Sequence, residues 1–188
     1  MVTSSLLSRC LRPRVIGLLV VALVLGLDQL SKEWSLTALG KVGSTVVLPG
    51  PIDLTLVLNY STAFGLVPAS GELTRWGLTI LNLAVASILT AIVLRHATAH
   101  LSTVGFAFIV AGAIGNALDR IRFGAVVDLF DASKLGFIWV FNVADVSIDA
   151  GIALLLLATL LPRSGSDRLS AALFGNRPLH PPQTRERN

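Results

Sequence analysis

The chain has 188 residues, of which 53% are hydrophobic and only 14% charged, and its mean hydropathy is +0.75. This composition indicates an integral membrane protein rather than a soluble domain, with room for about four spanning helices and one modest extramembrane piece. The net charge of +4 does not indicate a nucleic-acid partner, because no basic stripe with interleaved aromatic residues accompanies it. We therefore expect an α-helical membrane protein with four transmembrane helices.

The first apolar stretch predicts a span over about residues 15–34, after a basic leader. No small-residue cleavage site follows its apolar core, so we interpret it as a retained span and not as a cleaved signal. Asp28 and Lys32 lie one turn apart in its outer third, in the favoured order for an ion pair. Inside a membrane span, such a pair is either an interfacial ion pair or part of a functional site.

A small extracytoplasmic β-sheet is predicted between the first two spans, over about residues 44–64. Pro49-Gly50-Pro51 indicates a turn, and residues 45–48 and 53–58 on either side are typical of short strands. Asn59 follows the second strand and closes the sheet with a polar group.

The second span is predicted over about residues 75–94, followed by a short turn. In this turn His96 and His100 have the spacing of a zinc pair, but the catalytic glutamate of the metalloprotease motif is missing. A basic turn that flanks the membrane is therefore favoured over a metal site.

The third span is predicted over about residues 101–118, followed by a short loop over residues 121–136. Gly112, Ala113 and Gly115 lie near its end and allow helices to approach closely. Three polar side chains adjoin this small-residue seam: Asn116, Asp119 and Arg120.

The fourth span is predicted over about residues 137–161, long enough to cross a bilayer as one helix. In this span Asp145 lies roughly two turns inside, with Asn142 and Asp149 each about one turn away on the same face. An ionisable residue at such a depth costs on the order of a few kcal/mol and therefore indicates a functional site. Asp128, in the preceding loop, is the candidate partner for its carboxyl group.

Loop charges predict the orientation of the chain. The N-terminus, the turn after the second span and the C-terminal tail carry nine arginines, whereas the other side has six basic and nine acidic residues. The positive-inside rule then places both termini in the cytoplasm and the sheet and aspartates outside. We expect residues 1–162 to form a single membrane-embedded domain and residues 163–188 a disordered basic tail that contacts anionic lipid.

Two carboxyl groups close together in a low-dielectric setting cannot both ionise easily, so they share a proton. The ionised member can take a proton from water while the protonated member polarises or protonates a substrate amide, as in aspartic proteases. The separation of Asp128 and Asp145 in sequence does not determine their distance in space, so the pattern by itself leaves the dyad open.

Five short motifs occur in order along the chain: Asp28-Gln29…Ser31-Lys32, Asn59…Ala63-Phe64, Gly112-Ala113…Gly115-Asn116…Asp119-Arg120, Val127-Asp128 and Phe141-Asn142…Ala144-Asp145. Together they resemble signal peptidase II, the bacterial lipoprotein signal peptidase family, over roughly residues 15–161. The chain departs from the family pattern at Ser61 and Ala111, where glycine is usual, and it carries an extra acid at Asp149. We interpret Asp149 as a hydrogen-bonded structural residue rather than as a modulator of Asp145.

This resemblance implies an aspartic endopeptidase of the bacterial cell (inner) membrane, with Asp128 and Asp145 as the catalytic dyad and with neither a cofactor nor a metal. The implied substrate is a prolipoprotein whose cysteine carries diacylglycerol, cut just before that cysteine to release the signal peptide. Seven further residues are implied to shape the site: Asp28, Lys32, Asn59, Asn116, Asp119, Arg120 and Asn142.

Other functions remain open at this point. A small transporter or channel would use Asp28, Asp145 and Asp149 as an ion path, but the polar residues crowd the outer end of the spans. A non-catalytic scaffold would dock partners through its outer sheet, and its activity would survive Asp128→Asn and Asp145→Asn. A serine protease is disfavoured because all three histidines fall on the predicted cytoplasmic side.

Overall fold

In a computed structural model of the protein, the structure describes residues 2–60, 71–95 and 100–161. Its helices are α1 (Val2–Ala38), α2 (Glu72–Arg95), α3 (His100–Phe123) and α4 (Val143–Leu160). Its strands are β1 (Thr45–Val46), β2 (Asp53–Asn59), β3 (Val126–Asp131) and β4 (Val140–Phe141), with a 3₁₀ helix at Ser133–Leu135. Several predictions concern residues outside these ranges, namely Ser61, Ala63, Phe64, His96 and the tail 163–188.

Four helices of the described chain are long and apolar enough to cross a membrane, with Pro13–Ala38 as the spanning part of α1. The predicted number of spans is therefore confirmed, but the predicted start of the fourth, at residue 137, is wrong. Helix α4 begins at Val143, because the residues before it form β4 and the helix cap at Asn142. Asp145 consequently lies in the first turn of α4 and not two turns inside it.

Helix α3 is the centre of the bundle. In the most apolar segment of α3, 61% of the residues are buried inside the protein, against 22% for α1, 11% for α2 and 17% for α4. A Cβ atom at Gly112 would collide with the Ala144 carbonyl oxygen and the Ser147 hydroxyl on α4, and one at Gly115 would collide with the Asp28 carboxylate on α1. The small residues of α3 therefore allow both α1 and α4 to pack closely against α3.

The strands form one antiparallel sheet in the order β1-β2-β3-β4. Strands between the first two spans were predicted, but half of the sheet comes from the connection between α3 and α4, which was predicted to be a loop. The backbone of β3 pairs with β2, and Phe130 lies opposite Phe141 with ring centroids 5.8 Å apart. This cross-strand pairing gives the connection a regular structure that a loop interpretation misses.

Both sheet-forming connections leave the bundle at the same end, since they follow the C-terminal ends of α1 and α3. At this end Arg75 of α2 donates hydrogen bonds to the carbonyl oxygens of Arg120 (2.8 Å) and Ile121 (3.0 Å) on α3. At the opposite end Arg14 donates to the carbonyl oxygen of Leu94 at 2.7 Å. The sheet therefore covers the end of the bundle that carries the predicted polar site.

Candidate active site

One network of hydrogen bonds and ion pairs joins the polar side chains at the sheet end of the bundle. It contains all nine site residues predicted from the sequence, although three helices and two strands contribute them. Seven of the nine are buried, while Asn59 and Asp145 are partly exposed. The buried members are Asp28, Lys32, Asn116, Asp119, Arg120, Asp128 and Asn142.

Lys32 of α1 lies at the centre of the network. Its Nζ atom is 2.9 Å from Asp28 Oδ2 and 2.8 Å from Asp119 Oδ2, and it donates a hydrogen bond to Asn116 Oδ1 at 3.2 Å. All three charged side chains are at most 2% exposed. Because a buried charge is costly unless it is paired, the ammonium group and the two carboxylates stabilise each other.

The two carboxylates beside Lys32 also hold backbone groups. Asp28 Oδ1 accepts a hydrogen bond from the Ala144 N–H at 2.9 Å, at the N-terminus of α4, where a negative charge is favourable. Asp119 Oδ2 accepts one from the Val127 N–H at 3.1 Å, near the start of β3. Each carboxylate therefore anchors the residue that directly precedes Asp145 or Asp128 in the chain.

Asp128 lies on β3 with its side chain 1% exposed. Asn142 donates to its Oδ1 at 2.6 Å and Asn59 donates to its Oδ2 at 3.0 Å. Asn59 can reach it because Asn59 lies opposite Val126 in the β2–β3 pair, two residues away on the same face of the sheet. Both oxygens of this carboxyl group are thus held by amide side chains.

Asp145 belongs to a capping box at the start of α4. The Asn142 side chain accepts a hydrogen bond from the Asp145 N–H at 2.9 Å, and Asp145 Oδ2 accepts one from the Asn142 N–H at 3.4 Å. Asn116 of α3 donates to Asp145 Oδ1 at 2.9 Å, and its own Oδ1 accepts from Asn142 at 3.4 Å. Two amide side chains therefore connect the carboxyl groups of Asp128 and Asp145.

The pKa of Asp128 is raised to about 7, chiefly because the carboxyl group is buried and further because the negative charge of Asp145 is close to it. The hydrogen bonds from Asn59 and Asn142 and the charge of Lys32 act in the opposite direction. Arg120 interacts electrostatically with Asp145, Asp128 and Asp119. Near neutral pH this arrangement can hold one proton on a pair of carboxyl groups, as acid–base hydrolysis of an amide requires.

Sequence reasoning missed the contacts of Gln29, although Gln29 adjoins Asp28 in the first motif. Its Nε2 atom lies 3.1 Å from both Asp28 Oδ2 and Asp119 Oδ1. Asp149, by contrast, is exposed on α4 and makes no side-chain hydrogen bond or ion pair with another residue in the ranges that the structure describes. Its predicted structural partner is not found there.

Four apolar helices and a pair of carboxyl groups connected by amide side chains define a multi-pass membrane protein with a candidate hydrolytic site. A family model described as Signal peptidase (SPase) II matches residues 20–161. A lipoprotein signal peptidase of Caulobacter vibrioides is 46% identical over 76% of this chain and 84% of the relative, and one of Methylobacterium radiotolerans is 40% identical over 83% and 92%. The chain therefore belongs to the signal peptidase II family and is a peptidase of the bacterial membrane.

Solved structures agree with this assignment. One bacterial membrane enzyme, determined by the in meso method, superposes with a TM-score of 0.68 at 28% identity and covers 77% of this chain and 87% of its own. A second, determined in the same way, has a TM-score of 0.66 at 27% identity and covers 79% and 94%. The four-helix bundle with its sheet is thus a fold already seen among membrane enzymes.

Proposed function

We propose that the protein is an aspartic endopeptidase that removes the signal peptide from diacylglyceryl-modified prolipoproteins by cutting just before the lipidated cysteine. Membership of the signal peptidase II family and the lipoprotein signal peptidases among its relatives support the substrate class. One observation carries the catalytic type: Asp128 and Asp145 come from separate elements, yet Asn142 and Asn116 connect their carboxyl groups.

In the proposed reaction, one carboxyl group of the pair is protonated and the other is ionised. The ionised group accepts a proton from water as the water oxygen bonds to the scissile carbonyl carbon, and the protonated group gives its proton to the carbonyl oxygen. In the resulting tetrahedral intermediate, the C–N bond breaks as the carboxyl group that took the proton from water gives it to the amide nitrogen. The other carboxyl group takes back a proton from a hydroxyl group of the intermediate, which restores the pair. The products are a signal peptide with a free carboxyl group and a lipoprotein whose lipidated cysteine has a free amino group.

The remaining seven residues position the pair in this proposal. Asn59 and Asn142 orient Asp128, and Asn116 orients Asp145. The positive charge of Arg120 favours retention of one negative charge on the dyad. Asp28, Lys32 and Asp119 form the buried ion cluster that anchors α4 and β3.

The proposal includes a site at the extracytoplasmic face, both termini in the cytoplasm, a single membrane-embedded domain over residues 1–162 and a cytoplasmic basic tail over residues 163–188. The distribution of basic residues along the sequence supports this orientation. A lipidated substrate would then reach the site by lateral diffusion, since its acyl chains keep the scissile bond near the outer headgroups. The proposed chemistry uses side chains and water, so it requires no cofactor.

The test is cleavage by purified protein in detergent or lipid of a prolipoprotein with and without its diacylglyceryl group. We expect cleavage of the lipidated substrate by wild type and at least a thousandfold slower cleavage by Asp128→Asn and Asp145→Asn, as for other members of catalytic units. Asp149→Asn is the matched control, because it removes the same charge from α4 one turn away and should retain activity. Folded Asp128→Asn and Asp145→Asn proteins that cut as fast as wild type would refute the aspartic mechanism.

A further inference from the structure

Gln29 contacts both carboxylates of the buried ion cluster with a single amide group. Its Nε2 atom is 3.1 Å from Asp28 Oδ2 and 3.1 Å from Asp119 Oδ1, so each carboxylate can receive one of its N–H groups. Its Oε1 atom accepts a hydrogen bond from Arg122 Nη1 at 3.4 Å. The reverse amide orientation would direct the carbonyl oxygen at two carboxylates, so these contacts select one orientation.

The support for this amide continues to the surface. Arg122 Nη2 lies 3.1 Å from Glu33 Oε2, and both side chains are about half exposed. The Arg122 guanidinium group also lies over the Phe123 ring, 4.6 Å from its centroid. Gln29 is therefore held between a buried acidic pair and a solvent-exposed ion pair, and it differs from Lys32 in contributing directed hydrogen bonds without charge.

The two carboxylates that Gln29 contacts are those that anchor the backbone of the dyad. Asp28 holds the Ala144 N–H, one residue before Asp145, and Asp119 holds the Val127 N–H, one residue before Asp128. Rotation of either carboxylate would shift one of these anchors. Lys32 contacts Oδ2 of both carboxylates, whereas Gln29 also contacts Oδ1 of Asp119 and so opposes its rotation.

We propose that Gln29 is a positioning residue for signal-peptide cleavage, which sets the relative placement of Asp128 and Asp145 through its hydrogen bonds to Asp119 and Asp28. The inference rests on the proposed function above. It predicts that changes at Gln29 lower kcat and leave KM almost unchanged, because Gln29 acts through the two carboxylates on the catalytic step.

The test compares Gln29→Met, which keeps the length and removes the hydrogen bonds, with Gln29→Glu, which keeps the shape and places a carboxylate beside two others. We expect kcat to fall roughly tenfold in Gln29→Met and further in Gln29→Glu at neutral pH, since hydrogen bonds to charged groups are lost. Lowering the pH protonates the introduced carboxyl group and restores one donor. The activity of Gln29→Glu relative to wild type should therefore rise as the pH falls, while that of Gln29→Met stays constant.

The charged groups near this position belong to two helices, Asp28, Lys32 and Glu33 on α1 and Asp119, Arg120 and Arg122 on α3. Because they also titrate in wild type, the readout is the ratio to wild type at each pH. Arg122→Gln removes the outer support of the amide and should lower kcat severalfold in the same direction. It also provides a test that does not depend on the folding of the Gln29→Glu protein.

Parallel assays separate failure of this inference from failure of the proposed function. If wild type does not cleave the lipidated substrate, or Asp128→Asn is as active as wild type, the proposed function fails. If wild type cleaves and Asp128→Asn does not, but folded Gln29→Met has the wild-type kcat, the positioning role is refuted. Equal losses in Gln29→Met and Gln29→Glu at every pH would also refute it, because only packing would then be involved.

Discussion

Lys32 neutralises two carboxylates that have almost no contact with solvent. Lys32→Met leaves Asp28 and Asp119 as neighbouring buried acids without their cation, and we expect it to lower the free energy of unfolding by about 3–5 kcal/mol. Thermal or denaturant unfolding in detergent would measure this loss.

Lys41→Met is the control for Lys32→Met, because it removes the same charge from an exposed position and should change stability by less than about 0.5 kcal/mol. Adding Asp119→Asn to Lys32→Met should recover part of the loss, since one of the two unpaired carboxylates is then neutral. Equal unfolding temperatures of Lys32→Met and Lys41→Met would contradict the assigned role.

We expect the activity to depend on pH through Asp128, because burial and the charge of Asp145 raise the pKa of its carboxyl group to about 7. As the pH rises through this value, the pair loses its shared proton and the proposed acid is no longer available. We expect kcat/KM to fall on the alkaline side with an apparent midpoint near 7 that belongs to the pair. A rate that is constant from pH 6 to about 9 would contradict a proton held at this site.

The raised pKa of Asp128 should also make the free energy of unfolding depend on pH. Its pKa in the folded protein lies above the ordinary value of 3.8, so its contribution to stability is complete below 3.8 and is lost as the pH rises through about 7. Asp128→Asn cannot ionise and should lack this loss. Unfolding of both proteins across this pH range would show the wild type losing stability relative to the variant as the pH rises.

The close packing of α3 on α4 can be tested with Gly112→Ala. We expect this change to disrupt the bundle, because the added methyl group would collide with the Ala144 carbonyl oxygen and the Ser147 hydroxyl of α4. We expect a loss of about 1–3 kcal/mol in stability, as in other overpacked interiors, together with reduced activity through displacement of α4. Gly77→Ala on α2 is the matched control, since no atom apart from the adjoining residues and backbone of α2 itself lies within 4 Å of its new Cβ. Equal stability of the two variants would show that α3 and α4 need no close approach at this position.

The helices were predictable from the sequence because long apolar stretches have few alternatives in a membrane. Strand β3 was not predicted, since Val126–Asp131 is a short apolar run whose partner, β2, lies about 70 residues earlier in the chain. The β-branched and aromatic residues of β3 were the available strand signal. The start of α4 was misplaced for a related reason, because Asn142 and Asp145 were interpreted as residues inside a span although their spacing also fits a capping box.

The nine residues of the candidate site could be selected from the sequence, but their hydrogen-bond and ion-pair partners could not. The i,i+4 pair of Asp28 and Lys32 was local and therefore visible. The contact of Asp28 with Ala144 joins residues 116 positions apart, and no periodicity of the chain contains that information. The role of Gln29 was hidden for the same reason, since its second carboxylate belongs to α3.

At the scale of the whole molecule, the orientation in the membrane can be measured by cysteine labelling. Cys10 is the only cysteine in the sequence, so Cys10→Ser gives a background without reactive thiols. In this background Val47→Cys, at an exposed position beside β1, should react with a membrane-impermeant maleimide in intact cells whose periplasm is accessible. Thr98→Cys should react only after the membrane is opened, and the opposite pattern would overturn the predicted topology.

The long-range bond between Asp28 and Ala144 also orders events during biogenesis. Asp28 enters the membrane with the first helix, whereas Ala144 and Asp145 are among the first residues of the last helix. During synthesis, the nascent chain therefore carries Asp28, Asp119 and Asp128 of the carboxylate network but lacks Asp145 until α4 has been inserted. Under the proposed mechanism the dyad is incomplete without Asp145, so a nascent chain that has not yet inserted α4 should be unable to hydrolyse a neighbouring precursor. Insertion of α4 would then be the activation step of the enzyme.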